Sequence, residues 1–179
     1  MSTATPFSED DAILKSVLAV ASSVQQRVTS HRAETGAVDW NLPGFGGKVR
    51  IGTVFGDLPI EALRVRDEIR TITGSIARVQ WIDTIHLDDD FLRSHPSAVP
   101  VEIAANAFGI GKPMRQMVVS PRQEICTEVH VAARFLTGQA LQGAFNAHRA
   151  PSSGLTYYRF HCGDPVVIRA EGVWVRVQP

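Results

Sequence analysis

Glu124, Cys126, Glu128 and His130 occupy every second position of one short stretch. That spacing puts their side chains on one face of an extended strand, with Ile125, Val129 and Val131 on the other. A thiol, an imidazole and two carboxylates on one face are the parts of a zinc site, or of a thiol nucleophile with a positioned base. Zinc needs three or four convergent ligands, and no second Cys/His pair at metal-binding spacing accompanies these four. The same alternation describes the solvated face of a hairpin strand, and that is the reading the residues favour. His161 and Cys162 are adjacent, so they share no strand face, and Cys162 reads as a packed thiol. His86 stands beside Asp88-Asp89-Asp90, carboxylates of the kind that ligate hard cations. Adjacent loop residues rarely converge on one ion, so His86 to Pro100 reads as a polar surface loop. Gly109-x-Gly111 lacks the third glycine of a dinucleotide fingerprint and reads as a turn. No metal and no cofactor are expected.

These residues must be positioned by strands. Val49, Ile51, Thr53 and Phe55 alternate with Arg50, Gly52 and Val54, the period of a half-buried strand, and Gly56-Asp57 supplies turn chemistry. Gly44, Gly46 and Gly47, just before it, let backbone approach backbone. Glu68 to Thr73, Ile76 to Ile85, Leu155 to Phe160 and Val166 to Val177 read as further strands. The start of the chain is different. Leu14, Val17, Leu18, Ala21, Val24 and Val28 recur at spacings of three and four, one face of a helix from about Glu9 to Ser30. Ser8 and Asp11 form its capping box. The organisation expected is a helical arm and connector over residues 1–43, with Trp40 in the connector, and a β domain over 44–179.

The β region resembles the Hint (hedgehog/intein) domain in its short bacterial form. That family opens on a Cys-Phe pattern followed by a strand, a glycine, an acidic residue before leucine, and Gly-Asp-x-Val-x-Thr. Here Phe45, Ile51, Thr53, Gly56, Glu61, Leu63, Asp67, Ile69 and Thr71 keep the pattern. Further on, Pro100, Val101, Ile103, Gly109, Pro113, Val119, Ser120 and Pro121 match its Pro-Val and Val-Ser-Pro blocks. Val131, Ala133, Leu136 and Gly138 match the next block, and Ala170-Glu171-Gly172 with Val173 to Val177 the closing turn and strand. The resemblance spans residues 44–177. It implies a mainly β fold of elongated, partly pseudo-symmetric hairpins, here preceded by the N-terminal helix.

The resemblance also implies a chemistry. A cysteine thiolate attacks the carbonyl before it, converting a peptide bond into a thioester while a histidine protonates the departing amide. Gly44 stands at the cysteine position, Gln123 at the histidine position and Pro165 at a second histidine position. Glycine has no nucleophile, and between Gly36 and Gly52 there is no Ser, Thr or Cys to replace it. Glutamine does not titrate near neutral pH and forfeits about 10²–10⁴-fold of proton-transfer help. The expectation is therefore a catalytically silent domain serving as a binding or structural module. Against it stand self-processing through another residue, and a thiol or zinc hydrolase built on Cys126 and His130.

Composition narrows the partners. Eighteen basic residues offset eighteen acidic ones, so no global field favours nucleic acid or an anionic membrane. The longest apolar run, Ser16 to Ser22, is too short to span a bilayer. An acidic start, Ser8-Glu9-Asp10-Asp11, is the reverse of a basic secretory leader, and two cysteines make no disulfide framework; a cytoplasmic chain with reduced thiols is expected. A protein partner is compatible with these features, and a monomer is expected.

Overall fold

The computed structural model describes residues 39–128, 134–151 and 154–179. The helix expected from Glu9 to Ser30 lies outside the described residues, as does His130. In chain order the strands are β1 (Phe45–Gly46), β2 (Arg50–Thr53), β3 (Gly56–Pro59), β4 (Glu68–Arg70), β5 (Ile76–Arg78), β6 (Trp81–Leu87) and β7 (Val101–Ile103). They continue as β8 (Met117–Val119), β9 (Glu124–Glu128), β10 (Arg134–Thr137), β11 (Ala147–Arg149), β12 (Leu155–His161), β13 (Val166–Ala170) and β14 (Val173–Val177). Two short helices, α1 (Asp89–Ser94) and α2 (Gly138–Leu141), complete the elements that matter here.

The strands form two antiparallel sheets. One runs β11-β7-β8-β1-β12-β6; the other runs β10-β9-β14-β13-β2-β4-β5, with β3 also paired to β2. Alternating residues of both sheets build one main core, including Phe45, Ile51, Ile69, Ile125, Ile168 and Val175. The alternation read from Val49 and Ile51 is thus the alternation that fills the interior. The mainly β architecture agrees with the sequence reading; the division into two sheets is what the structure adds.

Two local expectations are corrected. Phe55 was grouped with the inward residues, yet it is 94% exposed. Register explains it: β2 and β3 pair Thr53 with Gly56, leaving Val54 and Phe55 as a two-residue hairpin loop. Gly56 takes φ +115°, and the Thr53 hydroxyl donates to its carbonyl at 2.6 Å, so the turn precedes Gly56-Asp57. The second correction concerns His86 to Pro100, which is not a surface loop. It holds the end of β6 and α1, and it buries Leu92, Ala98 and Val99 with Trp40, Leu87 and Tyr157 in a second apolar cluster. The three aspartates serve this helix. Asp88 caps it by accepting from the Phe91 amide at 2.7 Å, Asp89 accepts from the Gly154 amide, and Asp90 pairs with Arg93. A carboxylate at an N-cap offsets the unpaired amides of the first turn.

Burial sets the response to alkali. Tyr157 is fully buried and its hydroxyl donates to the Ala98 carbonyl at 3.1 Å. Burial raises its pKa above the usual tyrosine value and pushes the Cys162 thiol up to about 11. Both groups are neutral when protonated, so the unfolded chain releases these protons first as pH rises. Their contribution is fully present below the unfolded values and is lost as pH climbs through the folded ones. Urea midpoints are expected to be level near neutrality and to fall from about pH 9 upward. Cys162→Ala should flatten the early part of that fall and Tyr157→Phe the later part.

Candidate functional site

Gly44 lies just ahead of β1. The β1–β12 register pairs Phe45 with Tyr158 and Gly46 with Tyr157, so Gly44 faces Arg159. Space at this approach is short. A Cβ on Gly46 would lie 2.8 Å from the Val118 Cβ, closer than side chains pack. A Cβ on Gly44 would lie 3.2 Å from the Arg159 Cγ and 3.3 Å from the Tyr158 carbonyl oxygen. The glycine-rich stretch thus does what its composition suggested, bringing β1 close to both neighbours.

The Ser120–Gln123 turn follows β8 and closes against this strand. The Ser120 amide donates to the Gly44 carbonyl at 2.8 Å, and the Gln123 amide donates to the Ser120 carbonyl at 3.0 Å. The Ser120 hydroxyl is buried; it donates to the Leu42 carbonyl and accepts from the Trp40 indole N–H at 3.0 Å. Arg122 secures the other side, its Nε donating to the Trp40 carbonyl at 3.0 Å and its guanidinium pairing with Asp39 at 2.8 Å. Gln123 itself is 2% exposed. Its side-chain amide donates to the carbonyls of Arg176 (2.8 Å) and Glu124 (3.2 Å). A primary amide is well matched to two carbonyl acceptors, and nothing there calls for a titrating group.

Gly44 and Gln123 share one small cavity of about 20 Å³, whose wall also includes Trp81, Arg159, His161 and Arg176. That is room for about one water molecule. Pro165 is exposed and does not belong to this wall. The structure therefore brings together two of the three positions that the resemblance singled out. It adds Arg159, which the sequence reading passed over, and His161, which that reading weighed only as the neighbour of Cys162. The signal was present: Tyr157, Arg159 and His161 alternate along β12, so one buried member predicts that the other two face the same way. The His161 ring stacks on Trp81 with centroids 5.4 Å apart, and its Nδ1 accepts from the Gly163 amide at 3.2 Å. That acceptor role leaves Nε2 to carry the proton of the neutral ring. The Arg159 guanidinium lies 5.5 Å over Trp81 and 3.7 Å from the Asp83 carboxylate, while its buried Nε has no partner among the described residues.

The strand first singled out is elsewhere. Glu124 pairs with Arg176 at 2.9 Å, Cys126 is buried with its thiol donating to the Glu128 carbonyl at 3.1 Å, and Glu128 is exposed. The thiol thus leaves the solvated face on which the alternation placed it: Cys126 is buried while Glu128, two residues on, is exposed. Among the described residues no three His, Cys, Asp or Glu side chains gather where a metal could be held. Nor is any described helix long and apolar enough to cross a membrane.

Comparison with known proteins follows this geometry. The family model of the Hint domain matches residues 43–176. Among solved structures, the chain is similar to the bacterial intein-like domain from Clostridium thermocellum, at 14% identity and a TM-score of 0.52, covering 77% of this chain and 99% of that one. It is similar also to a DnaB intein from Synechocystis sp. PCC 6803, at 10% identity and a TM-score of 0.52, covering 77% of this chain and 100% of that one. At such identities the likeness is one of fold. No curated protein sequence matches the chain.

Proposed function

Because the chain belongs to the Hint domain family, we propose that it is a catalytically silent member, keeping the fold as a binding or structural module. One observation carries the reading: the backbone position that faces Arg159 across the cavity is a glycine, so residue 44 offers no side-chain nucleophile to the Pro43–Gly44 bond, and the nearby Ser120 hydroxyl is engaged by the Leu42 carbonyl. Two others support it. The side-chain amide of Gln123 is occupied by two backbone carbonyls, and an amide neither takes up nor releases a proton near neutrality. The free space beside Gly44 is about that of one water molecule. A thiolate attack and an assisted departure of the amide both lack their agent.

Intact mass tests this directly. Purified full-length protein incubated with a strong thiol, or with hydroxylamine to trap a thioester, is expected to stay one species of unchanged mass. A fragment pair that meets at Pro43–Gly44 would show that the chain processes itself, and the reading would fall.

A further inference from the structure

On the outer face of the second sheet, one cluster of residues draws on four strands. β13 and β14 pair Arg169 with Trp174, β13 and β2 pair Ala170 with Ile51, and β2 and β4 pair Thr53 with Ile69. β3 takes the other edge of β2, pairing Gly52 with Asp57, so β13 and β4 meet β2 along one edge, and the Thr71–Ile168 bridge joins those two strands to each other. Gly52, Arg169 and Arg70 therefore come together where the three strands meet, with Trp174 beside Arg169. Two arginines adjoin a position with no side chain. The gap is a cavity of about 130 Å³ lined by Gly52, Thr53, Arg70, Arg169 and Trp174. A Cβ on Gly52 would already stand 3.2 Å from the Cβ and Nε of Arg169, so glycine is what keeps the gap open.

The charges around it do not cancel. Arg169 pairs with Asp57 at 3.1 Å, and Glu68, the nearest acid along β4, is taken by Arg78 at 2.8 Å. Arg70 is exposed and makes no ion pair with a described residue. Two cations face one carboxylate, which leaves one positive charge in a chain whose net charge is zero. A monoanion fits that balance better than a phosphate carrying about −1.5 to −2. The guanidinium fork suits the two oxygens of a carboxylate, and the Trp174 ring gives an apolar wall for the carbon next to it. The cavity is also below the roughly 300–1,000 Å³ of pockets that enclose a whole small molecule. It is the size for a side chain.

We propose that this cluster is a docking site for an acidic segment of a partner polypeptide, with a carboxylate side chain of the partner held by Arg70 and Arg169 over Gly52 and an apolar neighbour against Trp174. The inference goes beyond the loss of processing. It concerns a different face, and its test is read in binding and not in chain integrity, so either can fail while the other stands.

The probe is a fluorescently labelled, end-capped hexapeptide with two glutamates flanked by phenylalanines, titrated into the full-length protein and followed by anisotropy. Saturable binding that weakens with salt is expected. Replacing both glutamates by glutamine, or using Arg70→Gln protein, should each weaken it about ten-fold or more, the loss of a charge-assisted hydrogen bond. Arg70→Glu should abolish it; since Arg70 is exposed, both variants should keep the wild-type circular dichroism. Binding unchanged by Arg70→Gln, or equal binding of the glutamine peptide, overturns the proposal. So does inorganic phosphate displacing the peptide at lower concentration than acetate does, which would mark a phosphate site. Acetate binding as tightly as the peptide would mark a site for free carboxylates and overturn the partner assignment.

Discussion

Replacing Trp40 by alanine is expected to cost about 3–5 kcal/mol of folding stability, the range for removing a large buried aromatic. The ring stacks on Tyr157 with centroids 5.7 Å apart and meets the edge of Phe91 at 6.2 Å. Its indole N–H reaches both the Leu42 carbonyl and the Ser120 hydroxyl at 3.0 Å. The backbone is held as well, its amide donating to Ser97 and its carbonyl accepting from Arg122. Truncation therefore empties the second apolar cluster and strands the Ser120 hydroxyl, which positions the turn bearing Gln123. Measured by urea unfolding, the loss would be a large share of the roughly 5–15 kcal/mol that holds a domain together. Trp40→Phe, which keeps a ring and loses only the N–H, should cost clearly less. A loss under about 1 kcal/mol for the alanine variant would show that the cluster is not part of the cooperative unit.

The largest effect on chemistry is expected from restoring two side chains together. Gly44→Cys alone should leave the chain intact. The new Cβ must push the Arg159 stem aside and sits against the Tyr158 carbonyl, and the amide of Gln123 still cannot protonate a leaving nitrogen. Gly44→Cys with Gln123→His supplies nucleophile and acid on the wall of one cavity. It should release hydroxylamine-dependent fragments at least about 10²-fold faster than the single variant, the lower range for a positioned proton donor. Intact mass over a time course reads both. Equal rates for the single and double variants would show that another group, with His161 the nearest imidazole on that wall, already provides the proton.

Much of the architecture was open to a reading of the sequence, because sheets announce themselves locally. The inward residues of β2, β13 and β14 alternate in the sequence as they do in the fold, and the ordered blocks from Phe45 to Val177 named the fold before any coordinates. The residues on which the proposed silence rests were open too: Gly44 and Gln123 stand where the resemblance leads one to expect cysteine and histidine, and residue type needs no geometry to be read. Composition excluded a global charge field for the same reason.

What only the tertiary structure decided depends on register and on which strand lies beside which. Phe55 left the core because pairing Thr53 with Gly56 puts it in the turn, a matter of one residue's slip. His86 to Pro100 became part of an apolar cluster because its few buried residues, Leu92, Ala98 and Val99, find Trp40 and Tyr157 from 52 to 65 positions away along the chain. A short stretch rich in aspartate and proline shows no periodicity that would announce such partners. His161 joined the cavity of Gly44 through the β1–β12 pairing, and Gly52 came to meet Arg169 and Arg70 where β13 and β4 share one edge of β2. His161 lies 117 positions from Gly44, and Arg169 lies 117 from Gly52. Periodicity along a strand says which face a side chain takes, whereas the choice of neighbouring strand is made by the whole chain folding at once.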